Sequence, residues 1–352
     1  MFNSEAIEKL IHYGMEEGIY PGAAISIGDK NGEFFRKAYG FRQLHPEKKP
    51  MKSDTLFDIA SLTKVVSTTM ITLKLMQEGK LSLSDTLDKF FETPDSKKEI
   101  TIHQLMTHIS GLPAHVRLDY LVKNPDDVCN CILELDLINP PGKNVVYSCL
   151  GFILLGKICE MLGGRTIDKL ANDWVFTPLG LKSTAYNPDK NNTFAVTEID
   201  EYTGAWLDGV VHDENARFLN GISGNAGVFA NIEDVGKLSI MLANKGKVGN
   251  ETIISTELFE EAIKNHTMHC DEGRGLGFAV KGNMPVSCGN IFPTGSYGHT
   301  GFTGTSIWID RETTQYVAFL TNRVHPTREN GKLILFRREI HDCCARAYRK
   351  LI

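Results

Sequence analysis

Ser61 and Lys64, three residues apart in "DIASLTKVVSTTMITLKLMQEGK", are the first residues of the chain with an evident chemistry. If a helix begins near Ser61, Lys64 falls one turn later on the same face, within reach of the serine hydroxyl. A serine hydroxyl is a poor nucleophile until a base takes its proton. Lysine can be that base when apolar neighbours bury it, because desolvation disfavours the ammonium. The helix start adds positive potential and a backbone N–H at Ser61 that can face a developing oxyanion. Taken alone, the spacing is common, and a serine N-cap followed by a surface lysine is its ordinary reading.

Two further elements shift that balance. "YSCLGFILLG" places Tyr147 at a loop–helix junction after a Pro-Pro-Gly turn, where its hydroxyl could exchange a proton with Ser61. The alternative is a core or capping aromatic. "GHTGFTG", with His299, Thr300 and Gly301, falls on an expected strand near the C-terminus. Small residues there let a substrate lie along the backbone and reach its N–H groups. Other clusters carry less. "HTMHCDEG" brings His266, His269, Cys270 and Asp271 within helical reach but without a second ligand pair, so no metal is implied. His108 reads as a structural histidine bonding nearby backbone. The glycines of "GISGNAG" lack the Lys-Ser/Thr of a phosphate loop, and no cofactor is implied.

The elements that must position these residues follow from periodicity and turn chemistry. An amphipathic helix over 4–17 leads to two β-rich runs around a turn at Asp29–Gly32. The helix after Ser61 ends at Gly79. Residues 81 to about 221 show mainly helical periodicity, clearest in the segment closed by Gly163 and Gly164. Asn231 caps a helix to about Ala243. "GLGFAV", "GHTGFTGTSIWID" and "TQYVAFLTN" read as strands, the last two joined in a hairpin near Arg311–Thr314, and a helix from about Lys332 closes the chain. The pattern predicts an α/β fold. Residues 1–79 and 222–352 build one sheet from both ends, and 80–221 form an inserted helical region.

Composition excludes several classes. The 352 residues are 42% hydrophobic and 23% charged, with a net charge of −5, so there is no basic footprint for nucleic acid. Arg337, Arg338, Arg346 and Arg349 read as the solvated face of the last helix. No run is long enough to span a membrane, and the start lacks the basic end and apolar stretch of an export signal. The eight cysteines form no disulfide framework and read as reduced thiols. A cytoplasmic protein acting on a small molecule or peptide is expected, with oligomeric state left open.

The three motifs, in this order, resemble the penicillin-binding-protein and serine β-lactamase superfamily, in particular its class C-like branch. The likeness extends through "PGAAISIGDKNGEFFRKAYG", "LMTHISGLP" and "GNAGVFANIEDVGKL", covering nearly the whole chain. It implies an antiparallel sheet flanked by helices beside an all-helical region, with the catalytic cleft between them and Ser61 as the acylated nucleophile. Lys64 and Tyr147 would share proton transfer, in an order the resemblance leaves open. The backbone N–H groups of Ser61 and Phe302 would form the oxyanion hole.

Two departures bear on substrate. Cys149 stands where the second motif usually has asparagine, and His299 where many β-lactamases and transpeptidases have lysine. A thiol bonds an amide weakly, and a histidine is mostly neutral at pH 7. Both argue against β-lactams and against D-Ala-D-Ala stems. "VHDENARF", with His212 and Asp213, resembles a segment of a subgroup that includes cytosolic wall-recycling amidases. It forms either a substrate-contacting edge or a self-bonded polar loop. A muramoyl-peptide amide is therefore the expected substrate, with broad carboxylester hydrolysis or a weakly catalytic penicillin-binding sensor as alternatives.

Overall fold

The computed structural model describes residues 2–249, 251–282 and 286–351. Helix α1 (Glu5–Glu16) buries Ile7 and Ile11, and a hairpin of β1 (Gly22–Asp29) and β2 (Gly32–Gln43) follows. Asp29 accepts the Asn31 N–H at 2.6 Å, an Asx turn that fixes the reversal. The short β3 (Lys49–Pro50) extends the edge, and β4 (Phe57–Asp58) leaves for a second, smaller sheet. After Ser61 the chain enters a π-helical turn, Lys64–Thr68, that continues as α2 (Thr69–Gln77).

Helices α3 (Ile102–Met106), α4 (Val128–Glu134), α5 (Cys149–Gly163) and α6 (Ile167–Ala171) come next. The stretch 187–213 is less helical than its periodicity suggested. It is largely irregular and lies between β5 (Ala185–Tyr186) and α7 (Glu214–Phe218). β6 (Val228–Ala230) pairs with both β4 and β5. Asn231 caps α8 (Ile232–Ala243) by accepting the Asp234 N–H at 2.9 Å. A ribbon of β7 (Lys247–Val248) and β8 (Glu251–Thr252) leads to α9 (Thr256–Ala262). The chain ends with β9 (Ala279–Val280), β10 (Tyr297–Thr300), β11 (Ser306–Ile309), β12 (Tyr316–Thr321) and α10 (Leu333–Arg349).

The main sheet is antiparallel in the order β3-β2-β1-β12-β11-β10-β9, so strands from both ends of the sequence meet at its centre. Ile25 of β1 lies opposite Phe319 of β12. Every residue of β1 is buried, and alternate side chains serve two layers. Ile25 and Ile27 join Ile7, Phe336 and Ile340 under α1 and α10. Ala24 faces α8 and a larger core that runs without a break into Phe152 and Leu154 of α5. Each buried Leu, Ile or Phe contributes about 1.5–3 kcal/mol, so this shared core holds the two sides of the cleft together. No helix among the described residues is long and apolar enough to cross a membrane.

Three expectations are corrected. "GHTGFTGTSIWID" is two strands, not one. It reverses at 301–305, where Gly301 N–H bonds Thr305 O at 2.7 Å and Gly304 takes φ +112°. "GLGFAV" is strand only at Ala279–Val280, because Gly277, at φ +81°, turns the chain just before it. Arg337 is not on a solvated face: it is buried, while Arg346 and Arg349 are exposed.

Candidate active site

The hydroxyl of Ser61 is aimed by a strained turn. Ala60, just before it, sits at φ +47°, a region that L-residues with a Cβ rarely occupy. Such strain persists only where the surroundings over-determine it, and here they do. Asp58 Oδ1 accepts the Ala60 N–H at 2.8 Å and Oδ2 accepts the His212 N–H at 2.7 Å. The Thr303 hydroxyl donates to Asp58 O at 2.7 Å and that of Thr305 to Ile59 O at 3.0 Å. Gly301 is required by the same packing. A Cβ there would lie 2.1 Å from Thr305 Oγ1 and 2.5 Å from Ile59 O.

Lys64 is fully buried, with Nζ 3.1 Å from Ser61 Oγ, 2.9 Å from the Asn225 carbonyl and 3.5 Å from Cys149 Sγ. The Asn225 carbonyl is held there by a close approach of α5. Gly156 of α5 is so near Gly224 that a Cβ would stand 2.9 Å from the Gly224 Cα. Burial is the largest influence on the amine and favours its neutral form. Attraction to Cys149 and Tyr147 opposes it and carries the net shift upward. That attraction needs the thiolate and phenolate, and burial holds both groups above their ordinary ranges. The Asp213 carboxylate adds to the upward pull, although no carboxylate bonds Nζ directly, so burial is the one influence that favours the free amine.

Tyr147 lies two residues before the first residue of α5, which Ser148 caps by accepting the Gly151 N–H. Its hydroxyl is buried without a hydrogen bond, while Lys64 and Ser61 lie close enough to favour its anion. The Tyr147 ring packs between His108, at 4.5 Å, and His299, at 5.7 Å. His108 bonds backbone, as expected: its Nδ1 accepts the Ser148 N–H at 3.1 Å. His299 Nδ1 bonds the Thr300 carbonyl at 2.8 Å, so it carries the proton and leaves Nε2 as a buried acceptor without a partner. Burial, with Arg274 and Lys64 nearby, pushes His299 down to about 3.

Arg274 was not found from the sequence, where "DEGRGLGF" carries no motif. It is 6% exposed, its guanidinium lies 5.2 Å from the Tyr147 ring centre, and it pairs with Glu272. Its Nε has no partner. Phe302 lies across the cleft mouth, 48% exposed, stacked on His212 at 5.4 Å and capped by Arg323 at 4.7 Å. Among the described residues, the backbone N–H groups of Ser61 and Phe302 donate to no protein acceptor. Both residues line one cavity of about 940 Å³ with Tyr147, Cys149, His299 and Arg274. A hydroxyl beside a buried amine, with two free N–H groups and a second proton carrier, suits acyl transfer.

His212 and Asp213 also line this cavity, and both are tied down. His212 Nε2 lies 2.7 Å from Glu198, which Arg328 meets at 2.6 Å, and Arg328 also pairs with Glu214 at 2.8 Å. Burial opposes the Glu198 charge, but bonds from His212 and Arg328 prevail and hold it at about 2. Asp213 caps α7 through the Ala216 N–H at 2.8 Å. The segment is both a cleft edge and a self-bonded loop. Glu198 and Asp58, which set its position, had no sequence signal. His266, His269, Cys270 and Asp271 do not converge. His266 meets His103 at 3.2 Å, while His269 and Cys270 bond the carbonyls of Gly142 and Lys143.

The buried histidines predict an acid limit to stability. His299 and His341 are both held at about 3, against an ordinary value near 6.5. Between those values the unfolded chain binds protons that the folded chain refuses, so stability falls as pH drops through that window. Each histidine costs about 1.4 kcal/mol per pH unit there. Glu198 adds a further loss from about 4.5 down to about 2. The Tm should therefore fall from about pH 7 to about pH 5, and less steeply in H341Q. A Tm independent of pH over that range would contradict the assignment.

Comparison with known proteins gives the family and the fold. The family model described as Beta-lactamase matches residues 7–342. The protein named "Putative D-alanyl-D-alanine carboxypeptidase" of Escherichia coli (strain K12) is 30% identical over 347 residues, covering 87% of this chain and 79% of its own. The homonymous protein of Escherichia coli O157:H7 is 30% identical over 371 residues, covering 92% and 84%. Among solved structures, the octameric penicillin-binding protein homologue from Pyrococcus abyssi superposes with a TM-score of 0.75 at 23% identity, covering 95% of this chain and 76% of that one. EstCE1, a hydrolase with promiscuous acyltransferase activity, gives a TM-score of 0.75 at 22% identity over 96% and 98%. These two share the fold, an antiparallel sheet with helices, as the resemblance implied. The chain belongs to the beta-lactamase family and is a serine hydrolase.

Proposed function

We propose that Ser61 is acylated by a small wall-type peptide, and that the bond broken is an amide next to a free carboxylate. The observation that carries the chemistry is the buried Lys64 amine 3.1 Å from Ser61 Oγ. Lys64, in its neutral form, takes the hydroxyl proton as Oγ bonds the carbonyl carbon. The oxyanion is met by the N–H groups of Ser61 and Phe302. Tyr147 passes a proton to the leaving nitrogen as the C–N bond breaks, and water then resolves the ester by the reverse relay.

Substrate choice rests on Arg274 and His299. His299 is uncharged in the working range, so Arg274 is the cation closest to Tyr147 apart from Lys64. Glu272 holds one terminal nitrogen of Arg274 and its Nε has no partner, so a substrate carboxylate would meet the remaining N–H groups. The name of the Escherichia coli relatives supports a terminal D-alanyl bond. The muramoyl-peptide amide expected from the sequence is the second amide such a molecule offers. Cys149 in place of an amide donor disfavours β-lactams.

The test sets a D-alanyl-D-alanine-terminated peptide, an N-acetylmuramoyl peptide, nitrophenyl esters and nitrocefin side by side, with products read by mass spectrometry. Release of D-alanine with the highest kcat/KM is expected, and nitrocefin should be poor. Free peptide released from the muramoyl substrate would move the cut to the second amide. Ester hydrolysis with both peptides intact would make the protein a carboxylesterase.

A further inference from the structure

The cavity that holds Ser61 does not end at the reaction centre. It continues past Phe302 to the first turns of α10, where Arg323, Arg337 and Arg338 line it. Arg337 is only 6% exposed. Burying a guanidinium without a counter-charge is strongly unfavourable, so a buried arginine normally has a carboxylate beside it. Here none is found. The Arg337 side chain makes no ion pair or hydrogen bond among the described residues, and its Nε is enclosed without a partner. The Nε of Arg338 is in the same state.

Neighbouring groups do not fill the gap. Asp342, one turn beyond Arg338, spends Oδ1 on the N–H groups of Asn290 and Ile291 at 2.7 and 2.9 Å. Arg323 adds positive charge and gives its bonds to the carbonyls of Phe302, Arg328 and Asn330. His341 is buried beside Arg337 with Nδ1 unpartnered. None of the six residues outside the described set has a carboxylate side chain. Burial, with Arg323 adding repulsion, lowers Arg337 to about 9, which still leaves it charged at neutral pH.

We propose that the α10 end of the cleft is an oxyanion subsite, in which Arg337 and Arg338 bind a carboxylate or phosphate at the far end of the substrate. It rests on the Ser61 reading only in sharing that cavity, and it is separate from the Arg274 position. A substrate reacting at Ser61 would thus carry a second anion, with Arg323 and Phe302 between the two points.

The test is direct binding of inorganic phosphate and of glutarate to the full chain by calorimetry, in wild type, R337Q, R338Q and S61A. Wild type and S61A should bind at least one of the two anions, and whichever binds identifies the source chemistry. R337Q should weaken that binding by about tenfold or more, the loss of one charge-assisted contact. R338Q, at a more exposed position, covers the case in which R337Q fails to fold. Wild type binding neither anion, or folded variants binding as wild type does, would overturn the subsite. Failure of the Ser61 reading shows separately, as turnover retained in S61A.

Discussion

Ser61→Ala is expected to abolish turnover, by about 10⁶-fold if the residue acts as nucleophiles of other serine hydrolases do. The substitution removes one oxygen, the atom 3.1 Å from the Lys64 amine. It leaves the backbone N–H that faces the cleft, and the bonds of Asp58, Thr303 and Thr305 that fix the turn. Substrate binding should therefore survive while the covalent step is lost. Two measurements check this: kcat on the best substrate, and labelling by a serine-reactive phosphonate followed by intact-mass analysis. Both signals should vanish in a variant whose Tm stays near wild type. A folded variant that is still labelled would place the nucleophile elsewhere.

Tyr147→Phe should lower kcat by about 10²–10⁴-fold, the usual range for a positioned acid or base. The hydroxyl is buried with no hydrogen bond, so its deletion leaves no partner stranded, and the fold should tolerate it or gain slightly. That separates a catalytic role from a structural one. A packing aromatic would lose little activity, and a structural hydroxyl would lower Tm. If Tyr147 protonates the leaving group, the defect should be largest for amides. Nitrophenyl esters, whose leaving group needs no proton, should be much less affected. Equal losses on amides and esters would assign the hydroxyl to the attack step. Near-normal rates on both would return it to the core.

The candidate residues gathered around Ser61 were legible because each is tied to a local signal. Ser61 and Lys64 share a helix start, Tyr147 precedes a capped helix, and His299 stands just before the small Thr300 and Gly301 that enter a turn. The hairpin at Asp29–Gly32, the Asn231 cap and the last helix were legible for the same reason: turn and cap chemistry is local. What was missed depends on contacts distant in sequence. Arg337 shares its helix with exposed arginines, and only the way α10 packs in the fold buries it. Arg274 has no neighbouring pattern, and Glu198 lies in an irregular stretch whose position is set by His212 and Arg328. The reversal itself was hidden because β-rich residues continue through both strands. Gly304, at φ +112°, is the break, and its neighbour Thr305 looks like any strand residue.

The turn before Ser61 ties reactivity to the completeness of the chain. Ala60 holds its left-handed conformation beneath hydroxyls supplied by Thr303 and Thr305, which follow Asp58 and Ile59 by 245 and 246 residues. On a ribosome the serine emerges long before either threonine. Until the last strands dock, Ala60 is free to relax to ordinary backbone angles, and the hydroxyl points nowhere in particular. A chain cut before residue 303 lacks both hydroxyls and is expected to lose the hold on the turn that aims Ser61.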